Sequence, residues 1–234
     1  MNYIIPARHR LADAKRSGGT VAASPKAVRQ QQAGRIADKT SAWKKSLIRA
    51  VAFMEARPAR VVGITGIRRG VGASLVAQGL ARSYGEFDRR ILLVSASGAN
   101  LSESVAPVVE NVPDLSALCV QEEGEYFRVD LADPLITLPP NAEFIRYTFE
   151  LALKYFHAIV VDLPSTDDAA GRPMSAFLSV APACNFLFLV CPTGRTGRSE
   201  VQQCLASCKI SGANVEGILL NDYRLPASSL LSES

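Results

Sequence analysis

Arg68-Arg69-Gly70-Val71-Gly72-Ala73-Ser74 has the residue types and spacing of a loop that holds phosphate. Its two glycines let backbone come close to an anion, and the serine hydroxyl suits a divalent cation. A helix-like pattern follows, with Leu75, Val76, Leu80 and Ala81. It would aim first-turn N–H groups and the positive end of a helix dipole at the anion. An apolar, strand-like run of Val61, Val62 and Ile64 leads in. A working loop of this kind carries a lysine just before the serine, touching the outer two phosphates. Ala73 stands in that place. The scaffold is kept and one point charge of its chemistry is gone.

Other chemistry-bearing residues form weaker patterns. Thr193-Gly194-Arg195-Thr196-Gly197-Arg198 is a polar, basic stretch suited to phosphate or to a partner subunit, with an ordinary loop as the plainer reading. Ser74 and Ser165 have neither His9 nor His157 at a spacing that suggests a nucleophilic triad. The five cysteines include no CxxC pair. Cys204 and Cys208, four apart, would share a helix face, and buried reduced thiols are expected rather than a metal or redox site. Trp43 reads as a helix-packing residue.

Apolar periodicity supplies the elements that must position the loop. Expected strands are Arg60–Thr65, Arg90–Ser95, Phe127–Asp130, Ala158–Asp162, Asn185–Cys191 and Val215–Leu220. Expected helices are Ser41 to about Ala56, amphipathic and docked beside the first strand, then Ala73–Tyr84, Ser102–Val109, Ala142–Phe156, Pro173–Val180 and Arg198–Ser211. Runs such as ILLV, AIVV, FLFLV and GILL are apolar nearly throughout, as buried parallel strands are. Strands alternating with helices imply right-handed crossovers and a doubly wound, mostly parallel α/β sheet flanked by helices. Ligands in such sheets sit beyond the strand carboxyl ends. Those ends are the loop at 66–74, Ser95–Asn100, Asp162–Thr166, Cys191–Arg198 and Asn221–Arg224, which should meet on one rim.

The chain has 234 residues with 48% hydrophobic and 21% charged content, which suits one globular domain with an extension. No apolar run approaches the roughly 20 residues of a membrane helix, and the start, MNYIIPARHRLADAKR, does not read as a secretory signal. A cytoplasmic protein is expected. The first 60 residues carry 13 Lys/Arg against 3 Asp/Glu, and the rest 13 against 19. We read residues 1–40 as a basic, mostly disordered arm, 41–225 as the domain, and 226–234 as a flexible tail. The arm suits anionic lipid, nucleic acid or an acidic protein face, with a solvated tether as the plainer reading. It lacks the interleaved aromatics of single-strand binders, which argues against nucleic acid.

The order of strand, Gly-rich loop, second strand and a strand ending in Asp162 resembles the deviant P-loop ATPases of the MinD/ParA class. Within it the chain is most similar to the bacterial tyrosine-kinase (BY-kinase) branch, the CpsD/CapB/Wzc-like proteins of capsule and exopolysaccharide synthesis. The resemblance spans about Ser41 to Arg224. It rests on ITGIRRGVGAS with LVAQGLA, DLSALC, LPPNAEF, FHAIVVDLPS, FLFLVCPTGRT and VEGILLND. The resemblance implies a P-loop NTPase fold and ATP or ADP with Mg²⁺ as ligands. Arg68, Arg69, Gly70, Val71, Gly72, Ala73 and Ser74 would line the phosphates. Ser74 and Asp162, at the Walker B position, would hold Mg²⁺, and Asn221 and Asp222 would meet the base. Asp162 is also the one candidate catalytic residue.

Three departures from the branch stand out. Ala73 replaces the lysine, with Arg68 at the class's earlier signature lysine. Ser95 and Ser97 stand where a pair of aspartates ends the Walker A′ strand, and serines are no general bases at neutral pH without a partner. The tail PASSLLSES has no tyrosine cluster. These losses favour a degenerate regulatory or scaffold subunit of polysaccharide synthesis and export. It would sit on a membrane-embedded co-polymerase, peripheral to the inner face of the plasma membrane. An active autokinase or ATPase using Arg68 or Arg69 is the alternative, and a ParA/MinD-like positioning ATPase the second. A homo-oligomer is left open; the ring-forming ExxRxxR-like motif does not occur before Val61.

Overall fold

The computed structural model describes residues 45–57, 60–85, 87–97, 99, 101–102, 112–122, 126–166, 175–194 and 196–221. The basic arm, the tail, Trp43, Arg195, Asp222 and nearly all of the expected helix Ser102–Val109 lie outside the described residues.

Among the described residues seven strands form one sheet: β1 (Val61–Gly66), β2 (Ile91–Ser95), β3 (Val120–Glu122), β4 (Tyr126–Asp130), β5 (Ala158–Asp162), β6 (Phe186–Pro192) and β7 (Val215–Asn221). Their spatial order is β3-β4-β2-β5-β1-β6-β7. Every pairing is parallel except β3 with β4. This is the doubly wound, mostly parallel sheet expected from the alternation of elements. β1 and β5 are buried at every position, as central strands covered on both faces must be.

Two strands depart from expectation. β3 was not anticipated; it is three residues long and pairs antiparallel with β4, needing no helical crossover. The GILL run of β7 alternates in burial instead of being buried throughout. Ile218 is 44% exposed and Leu220 69%. The reason is position: among the described residues β7 ends the strand order, with a neighbouring strand on one side only.

Helices cover both faces. The first, α1, spans 45–55 and buries Leu47, Val51 and Met54 along one stripe. Its Phe53 ring lies 5.8 Å from Phe188 of β6. Past its end, the Arg57 guanidinium stacks 3.7 Å over Phe53 and reaches Glu216 at 2.8 Å. On the same face, α2 (Ala73–Gly85) packs on β1, β2 and β5 through Val76, Ala77, Leu80 and Ala81. α3 (Leu115–Leu118) is a single turn capped by Asp114, which accepts from Ser116 N. α4 (Ala142–Ala152) stops short of the expected Phe156, its last turn passing into a bend over 153–155.

The start of α4 explains the LPPNAEF stretch. Asn141 Oδ1 accepts from the N–H groups of Glu143 and Phe144 at 2.9 and 3.1 Å, a full N-cap. Leu138, buried, bridges to Leu101. α5 (Ser175–Val180) runs into a 3₁₀ turn, Ala181–Ala183, and Arg146 of α4 donates to Pro182 O at 2.8 Å. α6 (Arg198–Ile210) lies beside Cys191 of β6 and buries Cys204 and Cys208 on one stripe. Cys184, Cys191, Cys204 and Cys208 are all buried and Cys119 is half-buried, as expected of core thiols.

Candidate functional site

Parallel pairing puts the carboxyl ends of β1, β2, β5, β6 and β7 at one end of the sheet, and backbone bonds tie the loops there together. Ile67 N donates to Val190 O at 3.1 Å, Ala96 N to Asp162 O at 2.9 Å, and Thr193 N to Asn221 O at 3.1 Å. Thr65 Oγ1 donates to Pro164 O at 2.8 Å, fixing the turn after β5 against β1. The rim expected from the strand ends therefore exists among the described residues.

The Gly-rich loop wraps closely over the end of β1. A methyl at Gly66 would strike the side chain of Val71 at 2.6 Å and the carbonyl of Arg68 at 2.9 Å. Gly70 and Gly72 have φ of 77° and 85°, backbone that a side chain would strain. Nothing lies within 4 Å of where a side chain would begin at Gly70, so the loop crest opens onto free space. At Gly72 the same methyl would meet Asn221 Nδ2 at 2.5 Å. Asn221 is buried, and its amide donates to Val71 O at 2.8 Å. The structure thus places Asn221 under the loop as a clamp on its backbone. α2 begins at Ala73, and its first N–H groups have no helical partners of their own.

Asp162 is a strongly perturbed carboxylate on the rim. It is 8% exposed, and its Oδ1 is buried with no hydrogen-bond partner among the described residues. The Ser74 hydroxyl donates to the carboxylate. Burial pushes its pKa up from 3.8 to about 6; the Ser74 bond and Arg128 pull the other way, and Asp130 adds to the rise. An orphaned carboxylate oxygen beside a serine hydroxyl, at the mouth of an open glycine crest, is a donor set that fits a hard divalent cation.

The arginines stand apart from this pair. Arg68 is held by Glu200 of α6 at 2.7 Å, which offsets the charge it can offer an anion over the loop. Arg69 is exposed, Ala73 is half-buried, Ser95 closes β2 half-buried, and Ser97 lies exposed two residues on. Ser95 lies level with Asp162 on one side and with Asp130 of β4 on the other. Asp130 was not among the residues singled out from sequence. An acid closing an otherwise mixed strand was the available signal, but nothing in the chain order says which strand lies next to β2.

α6 braces the loop from the opposite face. Thr166 Oγ1 and Cys204 Sγ are 2.9 Å apart, and Thr166 N donates to Gly66 O at 3.3 Å. A hydrogen bond from Cys208 draws Cys204 down to about 7 and raises Cys208 itself. A hollow of about 360 Å³ between α6 and β7 is lined by Cys191, Thr193, Thr196, Arg198 and Leu220 among others, and none of Gly70–Ser74 borders it. The rim chemistry lies at the loop instead, because the orphaned carboxylate is there.

No family model and no curated protein sequence matches the chain. Solved structures do. The kinase domain of the Escherichia coli tyrosine kinase ETK superposes with a TM-score of 0.56 at 20% identity, over 77% of this chain and 74% of that one. The BceF tyrosine kinase domain gives 0.54 at 19% identity, over 76% and 74%. MinD from Pyrococcus horikoshii, solved with Mg-ADP, gives 0.52 at 17% identity, over 73% and 75%. The chain has the P-loop NTPase fold that bacterial tyrosine-kinase domains share with MinD/ParA-type ATPases.

Proposed function

We propose that this chain is a degenerate BY-kinase-like protein that binds ADP or ATP with Mg²⁺ and turns it over weakly or not at all. It serves as a cytoplasmic regulatory or scaffold subunit of exopolysaccharide or capsule synthesis and export. One observation carries the reading: the rim keeps the groups that hold a nucleotide and lacks those that would drive transfer. The open crest at Gly70, the positive-φ glycine pair and the α2 N-terminus suit phosphate oxygens. Ser74 and Asp162 suit the cation, which would supply positive charge to the phosphates. Against that, Ala73 offers no charge and Ser95 and Ser97 offer no carboxylate. A missing donor of this kind removes about 3–4 kcal/mol of transition-state stabilisation in a comparable oxyanion site. The Arg68–Glu200 pair speaks against arginine as a substitute.

The partner in this reading is a membrane-embedded polysaccharide co-polymerase or related envelope protein, holding the chain at the inner face of the plasma membrane. Among the described residues no helix is long and apolar enough to cross a membrane. Calorimetric titration with ADP and ATP, with and without Mg²⁺, tests the binding half, and labelled-ATP turnover tests the other. Binding with negligible turnover is expected. Phosphoryl transfer at about 1–100 s⁻¹, the ordinary kinase range, would refute the degenerate reading. Failure to co-purify with the envelope protein under every nucleotide condition would remove the scaffold role.

A further inference from the structure

The sheet register sets Asp130, Ser95 and Asp162 in one row across β4, β2 and β5. Ser95 pairs with Asp130 on one side and with Asp162 on the other, and in-register residues of parallel strands point to the same face. That face carries Ser74, through its hydrogen bond to Asp162. The acid missing from the end of β2 therefore has a counterpart one strand away, at the same height and on the same side.

The geometry points to Asp130 as the second carboxylate of the Ser74–Asp162 cation site, transposed from β2 to β4. This rests on the reading of Ser74 and Asp162 given above. Two strand spacings separate Asp130 from Asp162, about 10 Å between Cα atoms. That is the outer limit for two aspartates on one ion, so Asp130 acts through a cation-bound water, as suits Mg²⁺, which keeps several waters. One Asp130 oxygen accepts from Ala132 N at 3.0 Å, which fixes the carboxylate at the strand end. Its other oxygen supplies the acceptor. Ser95, between the two acids, leaves room that an aspartate there would fill. The independent sign of a ligand is the buried Oδ1 of Asp162, which no described group satisfies. Arg128, two residues back on β4, offsets part of the negative charge of the row and is itself 4.0 Å from Glu122.

Electron paramagnetic resonance of Mn²⁺, titrated into the full chain with and without ADP, tests this directly. Asp130→Asn keeps the oxygen that accepts from Ala132 N, so the turn survives while the charge is lost. It should weaken Mn²⁺ binding about tenfold or more, the usual effect of removing an outer-sphere partner. Asp133→Asn, the same charge change three residues on, should leave binding near wild type. Adding Ser95→Asp to Asp130→Asn, which returns the acid to β2, should restore affinity. Wild-type binding in Asp130→Asn alongside lost binding in Asp162→Asn overturns the transposed acid and leaves the cation site standing. A wild-type chain that takes up no Mn²⁺, with or without ADP, removes the cation site and this inference together.

Discussion

Asp162→Asn should make the metal-free protein progressively more stable than wild type as pH rises from 4 to 8. Burial lifts the Asp162 pKa from 3.8 to about 6, and each pH unit is worth about 1.4 kcal/mol. The native state therefore holds its proton more tightly than the unfolded chain does. The contribution of this group to wild-type stability is fullest below about pH 4, falls as pH rises through about 6, and is flat above that. The total fall from this group is about 3 kcal/mol. Asparagine does not titrate, so any fixed cost of placing its amide beside Ser74 is the same at every pH. The stability difference between variant and wild type should thus shift by about 3 kcal/mol in the variant's favour across the range. For a domain of this size that is about 6–12 °C in Tm. Urea unfolding in EDTA at pH 4.5, 5.5, 6.5, 7.5 and 8.5 measures it. Saturating Mg²⁺ at pH 7.5 should then raise wild type and leave the variant unmoved, because only a ligand bound to the native state stabilises it. A difference that stays constant within the error of the fits, or shifts the other way, refutes the claim that this carboxylate is held charged at a cost.

Gly72→Ala should destabilise by about 1–3 kcal/mol, since the methyl meets Asn221 Nδ2 at 2.5 Å and the backbone sits at φ 85°; urea midpoints give the value. It should also abolish ADP binding in calorimetry, because the loop must shift to admit the methyl. Ala73→Lys should raise ADP affinity at least several-fold by returning a cation to the phosphates, and an unchanged titration would mean the loop no longer approaches phosphate. Asn141→Ala removes the α4 cap and should cost about 1 kcal/mol in thermal unfolding, with nucleotide binding untouched.

Much of the fold was legible because buried parallel strands announce themselves. The run Ala158–Asp162 is apolar until its final acid, and its limits in the structure are those expected from the sequence. β3 was not, because three residues reading Val-Gln-Glu carry no period. β7 misled, because GILL looks central wherever it lies, and only its place at the end of the strand order exposes Ile218 and Leu220. The Gly-rich loop, with Ala73 before Ser74, was plain in the chain, since glycine and serine spacing along one segment needs no tertiary information. Asn221 was noticed for a different reason from the one its geometry supplies: its amide reaches back 150 residues to Val71.

Local order along the chain was enough to determine the class of fold and to single out the Gly-rich loop, because strand, loop and helix start are contiguous. The tertiary structure alone decided which acids share a site. Strand order in a doubly wound sheet is not the order of synthesis, and β4, β2 and β5 become neighbours only when the crossovers close. That closure sets Asp130 level with Ser95 and Asp162, takes Asp162 out of water, and leaves one of its oxygens without a partner among the described residues. Burial and register are properties of the packed sheet, so the charge balance of the rim could be read nowhere else.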